Sequence, residues 1–266
     1  MSIPNQSSKI LATYKAFPRR SFLWKAAFGA SLVAVPGVFW SSSTLAGPGS
    51  ERAYANLLGR AVKPLRVDYR QVRSEIKAVE AYVKDLQNAP VHQQKMKKLA
   101  FYINAYNALV INAVLQHSLD KGRRRVLSVQ GFFDKKLHRV RGKNLTLNAL
   151  EEKFIRNAGD PRIHFVVNCA SVDCPPLRSK LYTAESLDKD LDKQSKLYLN
   201  RPDEVKVDRA KKTIQLVQIF EWYRKDFGGE KGVRRFVSKY RPDVKELLDT
   251  SYKIIYRPYD WNLNSI

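Results

Sequence analysis

The sequence predicts an α+β fold, and three observations carry that expectation. Helix-spaced and strand-like segments are mixed along the chain without the regular βαβ alternation of a parallel sheet. Residues 95–117 are apolar nearly all round, as a helix at the centre of a core must be. Two short apolar runs at 205–207 and 213–217, linked by Arg209, Ala210, Lys211 and Lys212, read as paired strands.

Over residues 51–88, Tyr54, Leu57, Leu58 and Ala61 keep a helical spacing up to a break at Pro64. Val72, Ile76, Val79, Val83 and Leu86 resume it until Pro90. In the central helix Leu99, Ile103, Tyr106, Val110 and Val114 form one stripe. Asn104 and Asn107 lie within it. A buried amide left unpaired costs about 1–3 kcal/mol, so these two either pin neighbouring backbone or face a site. Residues 121–140 are basic and irregular, with a turn at 131–134. Residues 144–156 predict a helix capped by Thr146, and the Asp160–Pro161 pair breaks the chain after it. Residues 163–168 read as a short strand and 169–176 as a loop. A helix is expected over 183–199, then the two strands, helices over 220–227 and 232–240, and a last strand at 251–256. No internal repeat or low-complexity segment interrupts this order.

The chain has 266 residues, enough for a sizeable core. Its 44% apolar and 11% aromatic content is that of a globular protein rather than a disordered one. The net charge of +23 favours anionic partners: nucleic acid, acidic lipid headgroups or anionic envelope polymers. No basic recognition helix or aromatic stacking motif points to nucleic acid, so none is expected as a partner. The two cysteines and four histidines lack the spacing of a metal site, and neither a metal nor another cofactor is expected.

The first 46 residues have the three-part plan of an export signal. They hold five cations and no acid, then an apolar run at 26–40 and small residues up to Ala46. That run is shorter than the ~20 residues of a spanning helix. The segment Arg19, Arg20, Ser21, Phe22, Leu23 resembles the twin-arginine signal pattern, with Pro18 and a late Lys25 as departures. The resemblance implies a bacterial protein handled by the twin-arginine export machinery and working in the periplasm or outside the cell. Cleavage after Ala46 leaves a charge of +18, so the basic character belongs to the folded part. The expected organisation is an export signal at 1–46, a helical N-terminal extension at 47–98, and an α+β domain at 99–266.

Chemistry-bearing residues concentrate between 145 and 178: Glu151, Glu152, His164, Asn168, Cys169, Ser171, Asp173, Cys174 and Arg178. A thiol nucleophile needs a base to ionise it, and an imidazole base needs a partner to orient its ring. Glu151, His164 and one cysteine supply these three parts. A straight strand from His164 would put Cys169 about 17 Å away on the opposite face. That favours Cys174, which the following Pro175 would place at a helix start; a bent strand reverses the choice. The competing possibility is a Cys169–Cys174 disulfide in an oxidising compartment, which would silence both thiols.

Several stretches resemble a catalogued family, domain of unknown function 547. They are FYINAYNAL (101–109), LTLNALE (145–151), DPRIHFVVNCASVDCPPLR (160–178), IFEWYRKDF (219–227) and YDWNLN (259–264). The resemblance departs at Glu152, where the family often has His. It implies a fold like the papain-type cysteine hydrolases with a rearranged Glu–His–Cys order, a central helix packed on a small antiparallel sheet. It also implies that Asn104, Asn107 and Arg178 lie near the site as supports or substrate contacts. The expected function is an exported cysteine-dependent hydrolase or acyltransferase acting on an amide or ester. An anionic envelope polymer or peptide is the expected substrate. The alternative is a non-catalytic envelope-binding domain with the disulfide closed.

Overall fold

The computed structural model describes residues 48–122 and 125–266, so the expected export signal lies outside the described residues. The fold is α+β, with eight α-helices and two small sheets among the described residues.

Three helices open the described chain: α1 (Pro48–Ala61), α2 (Tyr69–Ser74) and α3 (Ile76–Leu86). The Asp68 carboxylate caps α2 by accepting the N–H groups of Arg70 and Gln71. Tyr54, Leu57, Val79, Tyr82 and Leu86 bury into the same apolar cluster as the long helix α4 (Lys95–Gln116). The helices before α4 therefore share one core with it. The apolar length of α4 is spent inside the protein, since nearly all of the helix is buried.

A hairpin of β1 (His138–Val140) and β2 (Lys143–Leu145) comes next. Thr146 then caps α5 (Leu147–Leu150) through the Ala149 N–H, as its position in the sequence implies. The helix widens into a π turn over Glu151–Ile155 and ends at Gly159, which takes a φ of +74°.

The stretch at 163–168 is not a strand. Asp160 caps and Pro161 starts a 3₁₀ turn over Pro161–Phe165, because the carboxylate accepts the Arg162 N–H and the proline ring presets φ. The bonds a neighbouring strand would have made are made by one side chain, that of Asn107. No helix starts at Pro175; the next is α6 (Leu187–Leu199).

The second sheet holds β3 (Val205–Asp208), β4 (Thr213–Val217) and β5 (Lys253–Arg257). It is mixed, with β3–β4 antiparallel and β4–β5 parallel. Between β4 and β5 lie α7 (Ile219–Trp222) and α8 (Gly229–Tyr240). This sheet packs with Tyr198, Phe220, Val233 and Val237 in a second apolar cluster, separate from that of α4. The three-stranded sheet is therefore not what the central helix packs on. The antiparallel hairpin β1–β2 does bury Val140 and Leu145 in the cluster of α4; it is the three-stranded sheet that packs apart from it, against α8. The two clusters meet at the 3₁₀ turn, where Ile163 and Val166 belong to the first and Phe165 to the second.

Candidate functional site

The seam between the clusters carries two sets of polar groups. The first is a loop around Cys169. Asn107, buried on α4, donates from Nδ2 to the Val166 carbonyl (2.9 Å) and accepts the Asn168 N–H at Oδ1 (2.8 Å). Asn168 in turn donates to the Pro175 carbonyl (2.7 Å) and accepts the Ala170 N–H (2.9 Å). Ala170 sits at φ +62°, a left-handed conformation costing an alanine about 1–2 kcal/mol. The C-terminal segment holds it there: the Asn264 N–H donates to the Ala170 carbonyl (2.9 Å), and Ser171 pairs with Leu263.

This loop brings the sulfur of Cys169, a half-buried residue, to two hydroxyls. Ser171 Oγ lies 2.9 Å from Sγ and Tyr259 Oη 3.3 Å, and the two hydroxyls bond each other at 3.2 Å. Cys174 lies beneath; its sulfur accepts the Cys169 N–H at 2.8 Å. Both cysteines are free thiols, so the expected alternative of a closed disulfide does not describe this structure. Their acidities diverge. Burial raises the pKa of Cys169, but hydrogen bonds from Cys174, Ser171, Tyr259 and the Ser171 backbone outweigh it and pull the pKa below that of an ordinary thiol. Burial pushes Cys174 well above the ordinary value, and the neighbouring Cys169 adds to the shift. The sequence-based preference for Cys174 rests on a strand and a helix start that the chain does not form. Cys169 is the better placed thiolate.

The second set surrounds His164, whose side chain is 1% exposed. Its Nε2 bonds Asp226 Oδ2 at 2.9 Å, and its ring stacks on Tyr223 with centroids 3.9 Å apart. Arg156 grips the same carboxylate in two bonds, 2.7 and 2.8 Å long. Burial raises the Asp226 pKa, but the His164 and Arg156 contacts outweigh it and hold the carboxyl far below its usual range. The Nδ1 atom is buried with no hydrogen-bond partner.

Glu151 is buried but does not orient the ring, correcting the expected role: Asp226 is the ring's partner. Burial pushes the Glu151 carboxyl up, against the charges of His164 and Arg156 and hydrogen bonds with Tyr223 and Tyr106. Burial pushes the phenol of Tyr106, beside the Asn107 clamp, well above its ordinary pKa, and the charges of Glu151 and Cys169 add to the shift. Glu152 is exposed, which leaves the missing family histidine outside the buried set. Neither sulfur is hydrogen-bonded to His164.

The expected substrate contacts Asn104, Asn107 and Arg178 line one hollow, and each of the three side chains also holds neighbouring groups. Asn104 exchanges two hydrogen bonds with the Tyr182 backbone, at 2.8 and 2.9 Å. Arg178 pairs with Asp190 at 2.6 Å and donates to the Leu181 carbonyl. They hold the segment after the loop, beside a shallow hollow also lined by Tyr54 and Leu58. Among the described residues no group of three His, Cys, Asp or Glu side chains could hold a metal.

Residue order alone does not single out Asp226, Tyr259 or Tyr106. All three lie in the segments that carry the family resemblance, which is the one signal that could have found them.

Residues 90–199 match the family described as "Protein of unknown function, DUF547". The match spans α4 to α6 and holds Glu151, His164 and both cysteines, while Asp226 and Tyr259 lie beyond it. No curated protein and no solved structure matches the chain.

Proposed function

We propose that this protein is a cysteine-dependent hydrolase or acyltransferase acting on an amide or ester, on a rearranged papain-like scaffold. The observation that carries the reading is the Cys169 sulfur, a free thiol bonded to Ser171 and Tyr259 in a way that favours the thiolate. The Glu–His–Cys order along the chain and the mixed α+β architecture support it.

In the proposed reaction the Cys169 thiolate attacks the substrate carbonyl and forms a C–S bond. The tetrahedral intermediate collapses as the leaving amine or alcohol takes a proton, giving a thioester. Water, or an acceptor amine or alcohol, then loses a proton to a base, attacks the thioester and returns the thiolate. His164 is the proposed proton carrier, working through Nδ1 on the leaving group and on the incoming nucleophile. Asp226 fixes its ring, and Glu151 is a nearby buried acid. Because hydrogen bonds stabilise the thiolate, His164 is not needed to ionise it, which is consistent with the lack of a sulfur–imidazole bond.

We place this activity in the bacterial envelope, on the reading of residues 1–46 as a twin-arginine-type export signal. An anionic envelope peptide or polymer suits the +18 charge of the remaining chain.

The test is capture of the intermediate. A p-nitrophenyl ester offered to the full chain should release an initial burst of nitrophenol and leave an acyl mass on the peptide holding Cys169. Cys169→Ser should abolish both. An acyl group found on Cys174 alone, or a burst that survives Cys169→Ser, would overturn the assignment.

A further inference from the structure

The hairpin β1–β2 and the turn before it carry a steep charge imbalance. Residues 121–143 hold nine Lys and Arg against the single carboxylate of Asp134. Seven of the nine are described, and none of them forms an ion pair among the described residues. Elsewhere arginines are mostly matched: Arg156 to Asp226, Arg162 to Asp160, Arg178 to Asp190, Arg257 to Asp173. Unpaired like charges repel one another, so such a cluster is stabilised by an anionic partner.

The strand pattern says what kind. His138 and Val140 point into the core, so Leu137 and Arg139 point out. Leu137 is 60% exposed, with Lys135 and Arg139 exposed two residues to either side. At the other end of the hairpin, the Arg141 guanidinium bonds the Pro90 carbonyl and lies 4.2 Å over the Phe101 ring. This places the loop beside Val91, which is 68% exposed. A soluble polyanion gains nothing from a bare leucine between cations. An anionic bilayer gains from both, since the cations meet headgroups while the aliphatic side chain enters the acyl boundary.

We propose that residues 135–143 form a docking surface for an anionic phospholipid bilayer, with Leu137 as the inserted side chain. The proposal is independent of the thiol chemistry.

The experiment uses the full chain with vesicles of phosphatidylcholine containing about 30% phosphatidylglycerol, and vesicles of phosphatidylcholine alone. The apolar run at 26–40 can bind either vesicle, so the readout is local: amide hydrogen exchange over residues 134–143. Added protection is expected on the anionic vesicles only, and it should fade as salt is raised. Lys135→Glu with Arg139→Glu should weaken the salt-sensitive binding about tenfold or more. Leu137→Ser should reduce the protection of residues 134–143 on anionic vesicles but leave binding to soluble polyglutamate unchanged. These are surface changes, and an unchanged thermal midpoint will show that the fold is intact. Absence of local protection overturns the proposal. So does equal protection by neutral vesicles, or a Leu137→Ser variant protected over residues 134–143 as strongly as the parent, which would make the surface a polymer site.

Discussion

The loop around Cys169 and the shell around His164 flank one short stretch of chain, yet they are held by different forces. Beside Cys169 the loop is fixed by neutral groups, the Asn107 and Asn168 amides and backbone bonds from the C-terminal segment, while an Arg257–Asp173 ion pair holds its far end. The shell is fixed by charges, with Arg156 and His164 converging on Asp226. Neutral amide clamps do not titrate across the working range of a protein, so the position of the sulfur should hold with pH while the imidazole shell loosens in acid. The difference teaches that a thiolate and its proton carrier can be built as separable parts, one set by amide geometry and the other by electrostatics.

Removing the amide clamp should have the largest effect on this comparison. Asn107→Ala leaves the Val166 carbonyl and the Asn168 N–H buried without partners, a loss of about 2–6 kcal/mol. Urea denaturation should show the same loss at pH 5 and pH 8. The equivalent break on the other side is Gly232→Ala. A Cβ there would stand 1.7 Å from the Phe227 carbonyl oxygen, so α8 must move away from Phe227 and its neighbour Asp226. A cost of about 1–3 kcal/mol in the same assay is expected.

Much of the scaffold is legible in the sequence because its signals are local. The 3.6-residue stripe of Leu99, Ile103, Tyr106, Val110 and Val114 marks α4, and Thr146 marks the start of α5. The run at 163–168 reads wrongly as a strand because four apolar residues in six suit a strand or a tight helical turn equally. What decides between them is Asn107, 59 residues away in sequence from Val166. Glu151 suggests itself for the His164 ring because it is near in sequence. The actual partner, Asp226, arrives from 62 residues downstream, and no periodicity reports that encounter. The sulfur assignment inherits the strand error, since Cys174 is preferred only if the backbone runs straight.

Two smaller effects sharpen the contrast by their signs. The Asp226 pKa is depressed in the folded state, so its contribution is complete above the ordinary carboxylate pKa and is lost as pH falls through the folded value. Asp226→Asn should therefore cost about 1–3 kcal/mol at neutral pH, and the gap from the parent should close in acid. Glu151 runs the other way. Its pKa is raised, so the folded state resists its ionisation and loses stability as pH rises through the folded value. Glu151→Gln should be no less stable than the parent near pH 4 and modestly more stable at pH 8, by thermal melts at each pH. If both variants followed the same pH trend, the electrostatic description of the shell would be wrong.

The central claim is that Cys169, and not Cys174, is the reactive thiolate. The rate of iodoacetamide alkylation against pH, measured on the full chain and on the Cys169→Ser and Cys174→Ser variants, tests it directly. Cys174→Ser should still react below the range of an ordinary thiol, and the adduct should map to residue 169. Cys169→Ser should be inert below the range where an ordinary thiol ionises. Rapid alkylation of Cys174 at neutral pH in the Cys169→Ser variant, or a Cys169 midpoint no lower than that of a free thiol, would contradict the account.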